Sequence, residues 1–154
     1  MFNIVLFEPE IPPNTGNIMR LCSNSNCMLH LIKPLGFELS EKTLKRAGLD
    51  YINDDLFIIY ESYSDFLLKN ENINIYGLST KGKNYYHSIN FEPKDFLMFG
   101  PETRGLPASI RNQLDPDHLL RVPMAEKSRS INLANTVSII LYEAWRQNNF
   151  SGGI

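Results

Sequence analysis

Three stretches of this 154-residue chain carry polar residues that ordinary packing does not require. The first is Glu8-Pro9-Glu10-Ile11-Pro12-Pro13-Asn14-Thr15-Gly16-Asn17-Ile18-Met19-Arg20. Three prolines stiffen it, Asn14 and Asn17 flank a glycine, and Arg20 follows about one helical turn later. The second is Leu97-Met98-Phe99-Gly100-Pro101-Glu102-Thr103-Arg104-Gly105-Leu106-Pro107, an apolar run entering a loop with an acid–base pair. Glycine lets a backbone approach a ligand closely, and proline stiffens the path around it. The third runs from Val122 to Thr136. Its Ser130, Asn132, Asn135 and Thr136 favour caps and turns, so an otherwise apolar helix begins facing a polar site. Each stretch also has a plain structural account: a capped helix with a surface arginine, a tight strand-to-helix turn, and a serine N-cap.

The elements that must position these stretches alternate short apolar runs with helical segments, the pattern of an α/β protein with a mainly parallel sheet. The runs are Ile4–Phe7, Met28–Ile32, Leu56–Tyr60, Ile73–Leu78, Phe96–Phe99 and Leu119–Val122. Several are continuous and not alternating, which suits strands covered by helices on both faces. Helices are expected at Thr15–Ser25 with Asn14 as N-cap, Ser40–Ala47 ending on Gly48, Tyr63–Lys69, Pro107–Leu114 and Ser130–Gln147. The last can bury a stripe of Leu133, Val137, Ile140, Leu141, Ala144 and Trp145. No repeat or linker divides the chain, so residues 1–154 read as one domain. The second stretch leaves the carboxyl end of a strand, where open α/β sheets bind ligands. A dinucleotide-binding protein would carry a glycine-rich turn after its first strand; this chain carries prolines there.

Hydrophobic residues make up 43% of the chain, enough to bury a core without staples. No apolar run approaches the roughly 20 residues of a membrane span, and the opening Met1–Phe7 lacks the basic flank of a signal peptide. Cys22 and Cys27 form neither a disulfide framework nor a zinc motif, and His30, His87 and His118 have no ligand-like spacing. A reduced, cytoplasmic setting without membrane or metal is the expectation. Fifteen basic and 17 acidic side chains give a net charge of −2, so any RNA contact needs a local patch.

Taken in order, the three stretches resemble the three motifs of the SpoU branch of the SPOUT methyltransferases. Asn14 to Arg20 resembles the first motif, Phe99 to Leu106 the second, and Ser130-Ile131-Asn132-Leu133-Ala134-Asn135 the third. The opening residues 3–18, the Arg46–Tyr51 segment and the Tyr142–Gln147 ending are similar to branch members that methylate the tRNA wobble nucleotide. The likeness runs from residue 3 to about residue 147.

This resemblance implies a SPOUT fold: a mainly parallel sheet flanked by helices, with a deep trefoil knot near the C-terminus. The loops after Leu78, Phe99 and Val122 would form the knot around a threaded last helix, a rare departure from ordinary chain topology. It implies S-adenosyl-L-methionine as cofactor, a homodimer, and 2′-O-methylation of the ribose of cytidine or uridine 34 of tRNA, leucine isoacceptors included. The cofactor positions that carry over are Leu78, Thr80, Gly100, Val122, Met124 and Ser130, several of them acting through backbone groups. Gly100→Val would then fill space the cofactor needs. Arg20, Asn14, Glu102 and Asn132 carry over as the catalytic set.

In that set, Arg20 either takes the hydroxyl proton or orients the ribose while the proton passes to phosphate or water. A guanidinium ordinarily only donates, which makes the second course physically easier. Asn14 and Asn132 would position Arg20 or the ribose, Glu102 would fix its loop, and Ser130 would cap the last helix. The tRNA anticodon arm would meet Arg104, Arg121, Lys127 and Arg129 through its phosphates. Two rivals stand beside this: a SpoU methylase for ribosomal RNA or another tRNA position, and a non-catalytic RNA-binding or assembly factor. The intact catalytic set weighs against the second.

Overall fold

A computed structural model describes residues 1–40 and 57–154. Its strands are β1 (Asn3–Phe7), β2 (Met28–Ile32), β3 (Phe57–Tyr60), β4 (Ile75–Leu78), β5 (Asn84–Tyr85), β6 (Phe96–Phe99) and β7 (Leu119–Arg121). They form one sheet in the order β3-β2-β1-β6-β4-β7-β5, and every neighbouring pair is parallel. The helices are α1 (Pro12–Ser25), α2 (Tyr63–Lys69), α3 (Ala108–Arg111) and α4 (Leu133–Gln147). The protein is therefore α/β, as the alternating pattern implies.

Continuous apolar strands follow from the layering. Ile4 and Leu6 of β1 face one side of the sheet, against Ile18, Met19 and Cys22 of α1 and Val137, Ile140 and Leu141 of α4. Val5 and Phe7 face the other side, with Phe66 of α2 and Ile110 of α3. Both faces of the strand are dry, so neither set of alternate residues is polar. Each fully buried aliphatic side chain contributes about 2 kcal/mol. No helix among the described residues is long and apolar enough to cross a membrane.

Several boundaries differ from expectation, each for a local reason. Helix α1 starts at Pro12, not Thr15, and its N-cap is Ile11, which makes no side-chain cap. Proline at the first two helical positions presets φ and lacks the N–H that would need an acceptor. Asn14 therefore lies inside the first turn with its amide free for other partners. Helix α4 starts at Leu133, and its N-cap is Asn132, whose side chain accepts from the Asn135 N–H. Ser130 is thus not the cap. The helix expected over Pro107–Leu114 is confined to Ala108–Arg111, with Pro107 as its cap residue. Strand β5, two residues long, has too little apolar pattern to be read in advance. The helix expected at Ser40–Ala47 lies, Ser40 apart, outside the described residues, as does Leu56.

One buried polar group ties together the three adjacent strands β1, β2 and β3. His30 of β2 is 3% exposed, among the rings of Tyr60, Phe66 and Phe96. Its Nδ1 lies 2.9 Å from the Tyr60 hydroxyl and its Nε2 3.2 Å from Asn3 Oδ1. Asn3 spends its Nδ2 on the Lys94 carbonyl, so its Oδ1 accepts, and His30 carries its proton on Nε2. Nδ1 then accepts from Tyr60, and a second proton on the ring would disrupt that bond and place a charge in an apolar layer. Burial accordingly pushes the His30 pKa down from 6.5 to about 4. The folded state keeps the ring neutral, while the unfolded chain takes up a proton once pH falls below about 6.5. Stability from this site is whole above that value and drains away between there and about pH 4, at up to about 1.4 kcal/mol per pH unit. Urea midpoints measured across this window should fall with pH, and His30→Gln should flatten that slope; parallel slopes would contradict the assignment.

Candidate active site

The carboxyl ends of β4, β6 and β7 point to one side, and the loops leaving them enclose a cavity of about 300 Å³. Leu78, Thr80, Gly100, Val122, Met124 and Ser130 all line it. Position follows from topology: β6 and β4 stand side by side, β7 stands next to β4, and each loop departs at the same level. Ile131, Leu133 and Thr136, around the start of α4, complete the wall.

A chain of amide hydrogen bonds joins the three polar stretches. The Glu102 carboxylate accepts from the backbone N–H of Glu10 at 2.8 Å and of Ile11 at 3.1 Å. It also accepts from Asn14 Nδ2 at 3.1 Å. Asn14 Oδ1 in turn accepts from Asn132 Nδ2 at 2.9 Å, and Asn132 Oδ1 accepts from the Asn135 N–H. Glu102, Asn14 and Asn132 are thus brought together as a relay fixing the β6 loop, the start of α1 and the start of α4. A carboxylate at the entry to α1 also suits the positive end of the helix dipole.

The same two loops are locked in the opposite direction. Glu10 accepts from the Thr103 hydroxyl at 2.6 Å, the Thr103 N–H at 3.1 Å and Arg104 Nε at 3.3 Å. Arg104 Nη2 donates to Glu8 at 2.8 Å. Hydrogen bonds from Thr103, with the Arg104 guanidinium beside them, hold the Glu10 carboxyl below the usual carboxylate range. Glu8 sits in the left-handed region at φ 49, an uncommon conformation that aims its side chain at Arg104. Arg104, expected among the phosphate contacts, is therefore already engaged by two carboxylates. Glu10 and Thr103 were not singled out by sequence reasoning; the only signal was an acidic loop facing a Thr-Arg pair far along the chain.

Gly100 lines the cavity, and the chain's own packing gives it a further reason to be glycine. A Cβ there would lie 2.1 Å from Leu106 N and 2.3 Å from Gly105 C. The backbone that approaches it is the chain's own, so Gly100→Val breaks the loop before it could act on a ligand. Gly105, in the same loop, has open space around it but sits at φ +65, where an L side chain is strained.

Arg20 stands apart. It is exposed on α1, does not line the cavity, and pairs with no carboxylate among the described residues. Lys127 and Arg129 are exposed in the segment before α4. Among the described residues no group of histidine, cysteine and carboxylate side chains could hold a metal. Cys22 and Cys27 are buried free thiols, and burial raises the Cys22 pKa, leaving that thiol unreactive.

The sequence that folds into this all-parallel sheet and three-loop cavity, tied by Glu102, Asn14 and Asn132, matches one family along most of its length. The chain belongs to the SpoU rRNA Methylase family, whose match covers residues 1–142. Over 152 residues it is 52% identical to the tRNA (cytidine(34)-2′-O)-methyltransferase of Saccharophagus degradans, with 99% of each chain covered. Over 154 residues it is 49% identical to the protein of the same name in Escherichia coli (strain K12), covering 100% of this chain and 98% of that one. A solved structure concerned with the 2-OH methylation of C/U34 on tRNA superposes with a TM-score of 0.90 at 39% identity, covering 97% of both chains.

Proposed function

We propose that this protein transfers the methyl group of S-adenosyl-L-methionine to the ribose 2′-hydroxyl of nucleotide 34 of tRNA, cytidine or uridine, with leucine isoacceptors among its substrates. The observation that carries this is the cavity itself: three backbone loops, held by a partly buried amide relay, around a space suited to one small molecule. Near-full-length relatives bearing that activity in their names support it. So does the chemistry of the wall. Leu78, Val122 and Met124 offer apolar surface for an adenine ring, and Ser130 offers a hydroxyl. The Nε of Arg111, also on the wall, is buried with no hydrogen-bond partner, a donor suited to a carboxylate such as the cofactor's.

The cofactor supplies an activated methyl group, so the protein's task is alignment and proton removal. Glu102, Asn14 and Asn132 act as positioning residues, setting the loop geometry through the backbone N–H groups and caps they satisfy. Arg20, exposed on α1 with a guanidinium that only donates hydrogen bonds, orients the ribose and the neighbouring phosphate. The hydroxyl proton leaves to phosphate or water. Since Arg20 lies outside its own chain's cavity, a homodimer in which it serves the partner's site is part of the proposal. So are a cytoplasmic location, recognition of the anticodon arm, and a trefoil knot made by the loops after Leu78, Phe99 and Val122.

Purified protein incubated with methyl-tritiated cofactor and leucine tRNA should place label on the 2′-oxygen of nucleotide 34, read by nucleoside mass spectrometry. Label on a base, or on ribosomal RNA alone, would refute the assignment.

A further inference from the structure

The edge of the sheet beside the cavity carries an exposed stack of side chains that methyl transfer does not use. β5 pairs with β7 in the register Tyr85↔Arg121, so these two side chains are cross-strand neighbours on one face. The Arg121 guanidinium lies over the Tyr85 ring, 5.2 Å from its centroid. His87 stacks on the same ring, with centroids 5.7 Å apart and planes within 16°. Tyr85 is 42% exposed, and His87 is exposed too. Lys81 and Lys83, in the connection from β4, are exposed and pair with no carboxylate among the described residues. Two links place this stack beside the cavity: Lys81 lines it, and so does Val122, the residue after Arg121.

We propose that Tyr85, His87 and Arg121 form a stacking platform for an unpaired nucleotide of the RNA substrate, adjacent to the nucleotide whose ribose enters the cavity. Aromatic faces and a guanidinium plane accept any base, and free lysines beside them suit the flanking phosphates. Charge favours RNA over a protein partner. The chain is net −2, yet Lys81, Lys83 and Arg121 at this edge pair with no carboxylate among the described residues, and Glu143 near His87 is already held by Arg146, which suits a polyanion. Duplex RNA keeps its bases stacked internally, so the occupant is single-stranded. The platform rests on the proposed methylation of nucleotide 34, a residue of the anticodon loop.

The test uses the full-length protein and a fluorescein-labelled anticodon stem-loop, followed by anisotropy. Tyr85→Ala should weaken binding on the order of tenfold, while Tyr85→Phe keeps the affinity. A stem-loop made abasic on either side of nucleotide 34 should bind wild-type protein as weakly as Tyr85→Ala binds the intact loop, and Tyr85→Ala should lose nothing further. Tyr85→Ala should leave the salt slope unchanged, whereas Lys83→Ala should lower it by about one ion. Cofactor affinity by calorimetry should not move in Tyr85→Ala. An unchanged affinity in Tyr85→Ala, additive losses with the abasic loop, or a smaller particle by light scattering would each overturn the platform alone. Wild-type protein that binds the cofactor but no stem-loop would overturn the proposed substrate, and the platform with it.

Discussion

Chains carrying Arg20→Ala and chains carrying Ser130→Trp, each inactive alone, should recover activity when mixed. Geometry motivates the experiment. Asn14 and Arg20 share α1, yet Asn14 is tied to Glu102 and Asn132 while Arg20 is exposed and absent from the cavity wall. The six-residue step from one to the other advances about 9 Å along the helix and about one and two-thirds turns around it, so the two side chains leave different faces. Ser130 is exposed and lines the cavity, so an indole there occupies the space at little cost to packing. In an equimolar mixture about half the dimers are mixed, and each holds one site with both halves intact, which gives about a quarter of wild-type activity. Light scattering and a tagged pull-down establish first that subunits exchange. A mixture that stays dead despite proven mixed dimers would mean that Arg20 serves its own chain.

The second large effect is on stability, and it comes from a single methyl group. Gly100→Ala places a carbon 2.1 Å from Leu106 N and 2.7 Å from Leu106 Cα, distances at which backbone has to move. Overpacking against backbone costs about 3 kcal/mol or more, and the loop that shifts is the one holding Glu102. For a chain of this size the melting temperature should drop on the order of 10 °C. Gly105→Ala is the companion measurement. Nothing lies within 4 Å of its added carbon, and only the left-handed φ of +65 is unfavourable, so its cost is about 1 kcal/mol. Thermal melts of both variants decide the matter: equal shifts, or a Gly100→Ala melt close to wild type, would mean the loop adapts freely.

Fold class was legible because burial on both faces writes itself into a strand as an unbroken apolar run, and Ile4–Phe7 and Phe96–Phe99 are such runs. The three polar stretches were legible because amides and a carboxylate have no business in a dry layer. What stayed hidden were consequences of pairing between distant residues. Asn132, and not Ser130, caps α4, since its amide has partners on both sides, and one of them is 118 residues away. The neutralised Arg104 could not be foreseen, because its carboxylates lie in a loop more than ninety residues earlier. The packing of the chain against Gly100 was hidden for a related reason: sequence shows that a glycine is needed, but not that the Leu106 backbone lies against it.

The span of the Asn14–Asn132 bond also sets an order of assembly. Strands β1 and β2 and helix α1 lie within the first 32 residues, so their pairing is local and can form while the ribosome is still adding chain. The relay needs Glu102 and then Asn132, and the cavity wall needs Ile131, Leu133 and Thr136. A nascent chain can therefore pair β1 with β2 early, but it completes its sheet only after β7 and its binding cavity only when the final helix emerges.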